Sequence, residues 1–599
     1  MLRLVMFHRI QVFANGKFII NPLLGKTDFR FDRLHFTNRF CTSKKKLSGK
    51  TTSDSVGSII DEQNVFSSPF GDVEIPSGYL HQLIWRDIDT WWNKTAIVCA
   101  VSGRSYSYGE LRKLSGRLAT SLRQNNLRPG DTLAVVLPNI PEFVIVVLGA
   151  SEAGVKFTLI NPAYTVHEMN LQLKNSEAAA VITTKEKYSE IVESIKGQNS
   201  IRLPPMVVPS GTEPVPSGAI NFRDLVNDRI EEFEKTGKHT GVDDKNDTAL
   251  MPYSSGTTGV PKGVELTHRN IIANLTQMKH LEYNFAEPAI GEHQEIVPLF
   301  LPLYHLYGLG VCLLPYLSLG AKIICMPQFT SNNLLDVLEK YRTTLLYVAP
   351  PVVQLIANNS RFTKKHFEAI KCVTSAAAPI GMELITKFRS KIGTNLHFTQ
   401  IYGLTETSPV ITRSKYSVWN SAGLIAVNTQ VRIVGRDDDK FGKNVGVNET
   451  GEIVVDGPQV MKGYYKNTKA TEDCMDGKWL KTGDLGHIDD KGQLFVTGRL
   501  KELIKVKGFQ VAPAELEDFI HGHEKIADVA VIGVPDEKLG EVPKAFIVPK
   551  PNVKISEEEI KKYVAERFSQ HKHINQVQFI DAIPKSAAGK ILRRELQKL

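Results

Sequence analysis

The residues with the clearest capacity for chemistry lie in one stretch of eleven, Tyr253-Ser-Ser-Gly-Thr-Thr-Gly-Val-Pro-Lys-Gly263. It holds three glycines, four aliphatic hydroxyls and one lysine. Glycines let the backbone turn with positive φ and bring its N–H groups close to an anion, while the hydroxyls add donors and Lys262 adds a mobile charge. This composition predicts a loop that binds a triphosphate. The alternative is a surface loop that is merely rich in turn residues.

The stretch does not match the common nucleotide-binding patterns. A Walker loop needs Gly, four residues and then Gly-Lys, and counting from Gly256 puts Pro261 where the second glycine should stand. No Gly-x-Gly-x-x-Gly follows a predicted strand, so a dinucleotide-binding fold is not indicated either.

Three further motifs carry polar groups that suit a nucleotide. Gln400-Ile-Tyr-Gly-Leu-Thr-Glu-Thr407 offers the Tyr402 ring to a base, the Thr405 hydroxyl to a phosphate and the Glu406 carboxylate to Mg²⁺. In Lys481-Thr-Gly-Asp-Leu-Gly486 the carboxylate of Asp484 suits paired sugar hydroxyls, and Arg499 follows in the segment from Gly498 to Gln510. Each residue alone would be consistent with a turn or a solvated strand.

Charge and composition exclude several classes of protein. The net charge of +9 resides in residues 1–50, which hold eleven Lys or Arg and two Asp, so the remaining chain has 62 basic and 62 acidic residues. A neutral body does not steer a polyanion, which argues against nucleic acid as a partner. No apolar run approaches the roughly 18 residues of a membrane span, so no transmembrane anchor is predicted. Six scattered cysteines indicate neither a disulfide framework nor a zinc ribbon.

Residues 1–50 form a basic N-terminal extension that is poor in acidic residues and mixes apolar side chains with arginine. This pattern is typical of a mitochondrial transit peptide, and we expect a mitochondrial protein. The alternatives are an extension without a targeting role and a peroxisomal or cytoplasmic location, since Gln597-Lys-Leu599 loosely echoes a peroxisomal signal.

Beyond the extension, helical patterns alternate with short β-branched runs. Helices are predicted over Tyr79–Trp92 and Ser107–Asn126, strands over Thr132–Leu137 and Ala178–Thr184, and an exposed connection over Pro204–Gly218. The alternation predicts an α/β fold in which a large N-terminal domain, residues 51–499, combines mixed, largely parallel sheets with helices. Residues 500–599 predict a small α+β domain, with helices over Pro513–His521 and Ser556–Phe568 and strands over Ala527–Val534 and Ala545–Val548.

Together these motifs resemble the acyl-adenylate-forming family of acyl-CoA synthetases, coumarate–CoA ligases, luciferases and adenylation domains. The resemblance covers about residues 75–599 and includes Leu301-Pro-Leu-Tyr-His-Leu-Tyr-Gly308, the Ala-rich segment Lys371–Gly381 and Pro584-Lys-Ser-Ala-Ala-Gly-Lys-Ile-Leu-Arg593. It implies a small domain that moves about a hinge near Lys501.

The resemblance also assigns roles to residues of this chain. The implied ATP- and AMP-binding residues are Ser254, Ser255, Gly256, Thr257, Thr258, Lys262, Gln400, Ile401, Tyr402, Thr405, Asp484, Arg499 and Gln510. The implied catalytic residues are Lys590, Lys505, Glu406 (which also binds Mg²⁺) and His305. The acyl substrate is expected to contact Tyr307, Ala377 and Lys501, and CoA is expected to contact Lys507 and Gly508.

The implied activity is ATP-dependent and AMP-forming ligation of a carboxylic acid to CoA, with ATP, Mg²⁺ and CoA as the required small molecules. A fatty acid or an aryl-propenoic acid is favoured as substrate because the segments near the acyl pocket are apolar. The alternatives are a luciferase-like oxygenase, an enzyme that delivers its acyl group to a carrier protein, and a nucleotide-binding regulator without catalysis. Gln328, Ala376 and Ile401 depart from the usual family residues at their positions.

Overall fold

A computed structural model describes residues 59–236, 241–254, 261–393, 396–415, 418–436, 439–507, 509–586 and 589–599. The predicted transit peptide lies outside these residues, so it stays a prediction. No helix in the described ranges combines the length and the apolar character that a membrane span requires.

Sheets of the large domain are mixed, as the alternation of patterns predicted. The nine-stranded sheet, in which Gly463–Tyr464 pairs with the second strand, runs in the spatial order Tyr253–Ser254, Lys262–Thr267, Thr248–Met251, Lys156–Leu159, Thr132–Val136, Ala178–Thr184, Met206–Val208 and Ile220–Asn221. A four-stranded sheet runs Ile296–Leu299, Lys322–Cys325, Thr95–Cys99 and Ser105–Ser107. A parallel three-stranded sheet runs Leu345–Val348, Cys372–Ser375 and His397–Gln400.

Antiparallel strands complete the large domain. A seven-stranded sheet runs Ile59–Ile60, Val65–Ser67, Gln430–Val434, Gly451–Asp456, Trp479–Ile488 and Met475–Asp476, with Leu494–Arg499 also paired to Trp479–Ile488. Tyr402–Gly403 pairs with Val410–Thr412 in a separate ribbon. The helices of this domain are Leu80–Trp85, Tyr108–Gln124, Glu142–Glu152, Val166–Ser176, Tyr188–Ser194, Phe222–Leu225, His268–Met278, Leu314–Leu317, Ser331–Lys340, Pro350–Asn358, Met382–Ile392 and Thr468–Cys474.

The small domain is α+β, and the predicted fold class is confirmed. Its sheet runs Phe509–Val511, Ile504–Val506, Gly540–Pro549 and Ile526–Asp536, with Gln576–Phe579 parallel to Gly540–Pro549. Its helices are Pro513–His521, Glu557–Ala565 and Arg593–Leu596. A core of its own, which includes Val511, Leu516, Ile547 and Ile560, packs the first two helices on the sheet. This separate core allows the small domain to hold its shape independently of the large one.

Local capping explains where one long helix begins. Glu110 N–H donates to Ser107 Oγ over 3.2 Å, and Ser107 N–H donates to Glu110 Oε2 over 2.7 Å. This reciprocal pair satisfies two backbone donors that a helix start leaves free. The helix predicted from Ser107 is therefore confirmed as Tyr108–Gln124.

Two predicted segments differ from the structure. The helix predicted over Tyr79–Trp92 ends at Trp85, because Asp87 adopts φ −109° and ψ 19° and the following Asp-Thr pair favours a short 3₁₀ turn. The connection predicted as exposed over Pro204–Gly218 contains a buried strand, Met206–Val208, which pairs in parallel with Ala178–Thr184. Its β-branched valines suit that sheet, and the Pro- and Ser-rich flanks concealed them.

One edge of the three-stranded parallel sheet positions the site. Val348, Ser375 and Gln400 lie at the ends of its three strands and are aligned by register. Because the carboxyl ends of parallel strands meet at the same edge, the segments after them gather in one crevice. These segments are Ala349–Pro351, Ala376–Ile380 and Ile401–Tyr402.

Two buried histidines lie where helices Leu80–Trp85, Glu142–Glu152 and His268–Met278 meet. His81 Nδ1 is 3.1 Å from Ser151 Oγ, and His268 Nδ1 accepts a 3.1 Å hydrogen bond from the Leu80 N–H. Burial, followed by the His268 and Arg112 charges, lowers the pKa of His81 to about 3. Burial lowers the pKa of His268 to about 4. Both rings are therefore neutral in the folded protein at pH 7.

We expect these histidines to make the large domain sensitive to acid. The unfolded chain takes up protons near pH 6.5 and the folded chain does not, so stability falls as the pH drops below 6.5 until the folded pKa is reached. Between pH 6.5 and 5 the loss at His81 alone is about 2 kcal/mol, at roughly 1.4 kcal/mol per pH unit. Melting temperatures at pH 7 and 5 should differ less in His81→Asn than in the wild type. Exposed His167→Asn is the matched control, and equal pH slopes in wild type and His81→Asn would contradict the prediction.

Candidate active site

The stem of the predicted phosphate loop is a β-hairpin. Tyr253–Ser254 pairs with Lys262–Thr267 in antiparallel register, so Ser254 stands opposite Lys262 and Tyr253 opposite Gly263. Both predicted phosphate-binding residues of the stem therefore lie side by side at its open end. The tip, which includes Ser255, Gly256, Thr257 and Thr258, lies outside the described residues, and its ATP contacts stay predictions.

Glu406 is tied directly to this stem. Its Oε1 accepts 2.8 Å and 2.9 Å hydrogen bonds from Ser254 Oγ and the Tyr464 hydroxyl. The Lys262 ammonium lies 4.8 Å from the centre of the Tyr464 ring. Glu406 sits in a short 3₁₀ turn, Thr405–Thr407, and only 9% of its surface is exposed. The turn thus presents the partly exposed Thr405 and a fixed carboxylate beside the phosphate loop.

The donor set fits a magnesium ion that is shared with phosphates. Among the described residues, no group of three or more His, Cys, Asp or Glu side chains could hold a metal by itself. Mg²⁺ is usually held by one or two carboxylates together with substrate phosphates, and Glu406 is a single oriented carboxylate next to a phosphate loop. Glu406 is therefore the residue that would hold the ion.

Tyr402, Asp484 and Arg499 form one connected group. The Tyr402 hydroxyl donates to Asp484 Oδ2 over 2.9 Å, and Arg499 Nε donates to Asp484 Oδ1 over 2.7 Å. Asp484 and Arg499 are direct partners across neighbouring antiparallel strands. A carboxylate has about four acceptor positions, so the buried Asp484 keeps capacity for two more donors. The geometry suits a pair of sugar hydroxyls.

Small residues line the segment after the middle parallel strand. Ala377 is exposed and has φ +77°, a left-handed conformation that costs a residue with a Cβ about 1–2 kcal/mol. Nearby, Ile401 N–H donates to Ser375 O over 3.1 Å and Gln400 Nε2 donates to Trp419 O over 2.7 Å. The segment is held open by this backbone, which leaves its surface available to a flat ligand.

His305 and Tyr307 lie at the start of a buried π-helical turn, Tyr307–Leu313. The Tyr307 N–H donates to His305 Nδ1 over 3.1 Å, and the Tyr307 hydroxyl contacts Val348 O and Thr374 O at 2.9 Å and 3.1 Å. Burial and then the Lys590 charge lower the pKa of His305 to about 4. His305 is therefore neutral at pH 7, with its proton on Nε2 because Nδ1 is an acceptor.

Lys590 of the small domain enters this site. Burial, and then the Arg499 charge, lowers the pKa of Lys590, while Glu502 and Asp484 act in the opposite direction. Its loop is held by a 2.8 Å hydrogen bond from Ser586 N–H to Lys590 O. Arg593 further along bonds to Glu502 across 2.9 Å and to Glu517. The lysine is thus placed among the charged groups that also surround Asp484.

The residues predicted for the second half-reaction are not gathered there. Lys505 and Lys507 are exposed on the small domain, where their N–H groups donate to Glu541 Oε2 and Leu539 O at 2.8 Å and 2.7 Å. Exposed Lys501 lies in the turn Leu500–Glu502, directly after Arg499. Gly508 and the side chain of Gln510 lie outside what is described, so their roles stay predictions.

Tyr464, Glu502 and Gly589 were not predicted as site residues. Tyr464 binds Glu406 although 58 positions separate them, and no local pattern marks such a partner. Glu502 lies in the quoted motif after Gly498, but its role depends on a contact with Arg593 that only folding creates. Gly589 could have been singled out from the sequence, because it directly precedes Lys590 in the motif that begins at Pro584.

Comparison with known proteins identifies relatives over most of the chain. The AMP-binding enzyme family matches residues 84–465, and the AMP-binding enzyme C-terminal domain matches residues 515–590. 4-Coumarate–CoA ligase 1 of Arabidopsis thaliana is 36% identical over 543 residues, 89% of this chain and 95% of that protein. 4-Coumarate–CoA ligase 1 of Petroselinum crispum is 36% identical over 90% of this chain and 97% of its own length.

Solved structures show the same architecture. ATP-bound MatB from Rhodopseudomonas palustris has a TM-score of 0.75 and 26% identity, covering 86% of this chain and 98% of that chain. A benzoate CoA ligase from Burkholderia xenovorans LB400 has a TM-score of 0.74 and 25% identity, covering 87% of this chain and 100% of that chain. With its phosphate-loop stem, its Tyr402–Asp484–Arg499 group and its docked Lys590, this chain belongs to the AMP-binding enzyme family and, within it, to the adenylate-forming acid–CoA ligases.

Proposed function

We propose that this enzyme joins a fatty or aryl-propenoic acid to CoA by way of an acyl-adenylate. ATP is consumed, pyrophosphate leaves in the first half-reaction and AMP leaves in the second. The observation that carries the proposal is the half-buried position of Lys590 beside Asp484, Arg499 and His305. A lysine of the small domain that is desolvated in this crevice is suited to a reaction in which negative charge develops there.

The first half-reaction needs charge stabilisation. The acid's carboxylate attacks the α-phosphorus of ATP, and negative charge grows on the phosphate oxygens and on departing pyrophosphate. Lys590 supplies a positive charge in a site of low polarity, where a preorganised charge acts more strongly than in water. Lys262 and the loop N–H groups act on the other phosphates, and Mg²⁺ held by Glu406 would neutralise charge at that end. The neutral His305 can donate from Nε2 to an oxygen of the acid.

The second half-reaction needs a different set of groups at the same carbonyl. The CoA thiol attacks the acyl carbon and displaces AMP, a good leaving group that needs no strong general acid. We infer that the small domain turns about Lys501, which withdraws Lys590 and brings Lys505, Lys507 and Gly508 to the site. Rotation of a domain about a few terminal residues is a common way to complete a catalytic site in stages.

An important contact of the docked domain is made by Gly589. Its φ is +83°, and a Cβ added there would lie 2.9 Å from Pro351 Cδ and 3.3 Å from Ala349 Cβ. Ala349 and Pro351 follow the first strand of the parallel sheet. The loop that carries Lys590 therefore approaches the large domain so closely that a side chain does not fit without a shift.

The direct test of the proposed function is AMP release by purified protein lacking residues 1–50, assayed with ATP, Mg²⁺ and CoA. Acids from acetate to palmitate, together with cinnamate and coumarate, form the panel. We expect CoA-dependent turnover with fatty or aryl-propenoic acids and none with acetate. If no acid in the panel leads to AMP release while the protein still binds ATP, the proposal would be overturned and a regulatory protein would be favoured.

Replacing Lys590 separates the half-reactions. We expect Lys590→Ala to slow acid-dependent ATP–pyrophosphate exchange roughly 10²–10³-fold, the scale of one preorganised charge contact. Formation of the thioester from supplied acyl-adenylate should survive. Lys598→Ala, which removes an exposed lysine from the same tail, is the matched control. Unchanged exchange in Lys590→Ala would refute the role of this lysine.

Gly589→Ala should impair docking of the small domain. The left-handed backbone and the contact with Pro351 together cost about 1–2 kcal/mol or more in the docked state, which predicts a loss of roughly tenfold in exchange. Gly442→Ala is the control, because Gly442 has φ +74° but nothing within 4 Å of an added Cβ. Thioester formation should be spared in Gly589→Ala. Equal exchange rates in the two variants would show that the close approach is unimportant.

A further inference from the structure

Arg413 is a large, fully buried side chain at the end of the ribbon that begins at Tyr402. It follows the strand Val410–Thr412, and only 1% of it is exposed. Its N–H donates to Leu424 O over 2.9 Å, which fixes the backbone. The surrounding side chains are Met278, Tyr307, Cys312, Tyr316, Tyr347 and Cys372, all in the apolar core of the large domain.

The hydrogen bonds of Arg413 are incomplete. Nη2 donates to the Tyr347 hydroxyl over 2.9 Å, the Tyr316 hydroxyl is a further hydrogen-bond partner of the guanidinium, and Nη1 contacts Met278 Sδ, a weak acceptor, at 3.6 Å. Nε is buried without a partner, and no carboxylate in the described part of the chain forms an ion pair with Arg413. A guanidinium does not lose its proton, so the cation stays charged in an apolar setting. A buried charge without an anion is strongly unfavourable.

Besides Arg413 Nε, the two tyrosines beside Arg413 hold a second donor without an acceptor. The Tyr316 and Tyr347 hydroxyls are in direct contact and share one hydrogen bond. Two phenols carry two protons, and burial raises the pKa of both, so both stay protonated. Both hydroxyls accept from Arg413, and one phenolic proton forms the hydrogen bond between the two hydroxyls. One phenolic proton therefore remains to donate to an incoming acceptor.

Arg413 and its two tyrosines lie next to the residues that are expected to bind the acyl substrate. The Tyr347 ring stands at 84° to the Tyr307 ring with their centres 6.5 Å apart, and Tyr307 is bonded to His305 through its N–H. Tyr347 lies on the first strand of the parallel sheet, whose end faces Gly589. Moving inward from His305, the order is Tyr307, Tyr347 and then Arg413. The Arg413 guanidinium, which forms no ion pair with any described carboxylate, lies deeper than the residues expected to contact the acyl chain.

We propose that Arg413 binds a second carboxylate at the far end of the acid, so that the preferred substrates are dicarboxylic acids. The inference rests on the proposed ligase function and narrows its substrate class. The planar guanidinium matches a carboxylate in shape and charge, and the free phenolic proton adds a donor. An aliphatic or aryl-propenoic body would lie between the two carboxylates, against Tyr307. The cation makes discrimination strong because a substrate without the second carboxylate leaves it unpaired.

The experiment compares matched pairs of acids that differ in the second carboxylate. These pairs are octanoate and octanedioate, hexadecanoate and hexadecanedioate, and cinnamate and 4-carboxycinnamate. For wild-type protein we expect that in at least one pair kcat/KM is about 10–100-fold higher for the diacid than for the matched monoacid. This is the range expected for a hydrogen bond to a charged group. Arg413→Met, similar in size and uncharged, should reverse that preference, and Arg413→Lys should retain part of it.

A second measurement is independent of turnover. Without ligand, Arg413→Met should melt at a higher temperature than wild type, because the lone charge is gone. The diacid should raise the melting temperature of the wild type and not that of Arg413→Met. Turnover of monoacids with no diacid preference, and no diacid-specific stabilisation, would overturn this inference and leave the ligase function intact. Silence with every acid would instead refute the ligase function and this inference with it.

Discussion

The charge of Lys590 is the constraint on which the docked arrangement of the two domains depends. A lysine removed from water needs opposing charge nearby, and Asp484 and Glu502 provide it from the two sides of the domain boundary. Arg499 and Arg593 neutralise the outer sides of the same carboxylates. The pKa of Lys590 is lowered all the same, because burial and the two arginine charges outweigh the carboxylates. Under the proposed function the small domain leaves after the first half-reaction, and a lysine whose charge is not fully compensated suits that step.

Glu406 joins the structural elements around the predicted phosphate loop. It accepts from Ser254 and Tyr464 through its side chain, and its carbonyl accepts a 2.8 Å hydrogen bond from Met461 N–H. The phosphate-loop stem, the turn Thr405–Thr407 and the strand Gly463–Tyr464 are therefore one unit. Under the proposed function the large domain supplies these fixed acceptors and donors, and the small domain supplies the Lys590 cation for the first half-reaction only.

Under the proposed function, two cations mark the two ends of the acyl path. Lys590 is delivered by the moving domain, whereas Arg413 is built into the core of the large domain and has no carboxylate partner among the described residues. The apolar residues between them, including Tyr307, exclude water and so strengthen both charges. If Arg413 binds the second carboxylate, as we propose, its charge lowers the stability of the free enzyme, a common consequence of building a site for a specific ligand.

Local chemistry made much of this protein readable from its sequence. The capping pair Ser107 and Glu110, the β-branched strands and the small-domain helix from Pro513 all depend on neighbours a few positions apart, so the fold class followed from them. The turn glycines and hydroxyls around Lys262 likewise predicted a phosphate loop from neighbouring residues alone.

Contacts between distant segments were decided only by the tertiary structure. Nothing local pairs Tyr464 with Glu406, sets Gly589 against Pro351 or leaves Arg413 without a carboxylate partner among the residues that the structure describes. The family resemblance named Lys505 and Lys590 together, and folding put Lys590 beside Asp484 and Arg499 while Lys505 stayed exposed. The physical reason is that burial and charge balance are sums over neighbours brought together by the sheets. A residue's type determines which bonds it is able to make, and its surroundings determine which of them it makes.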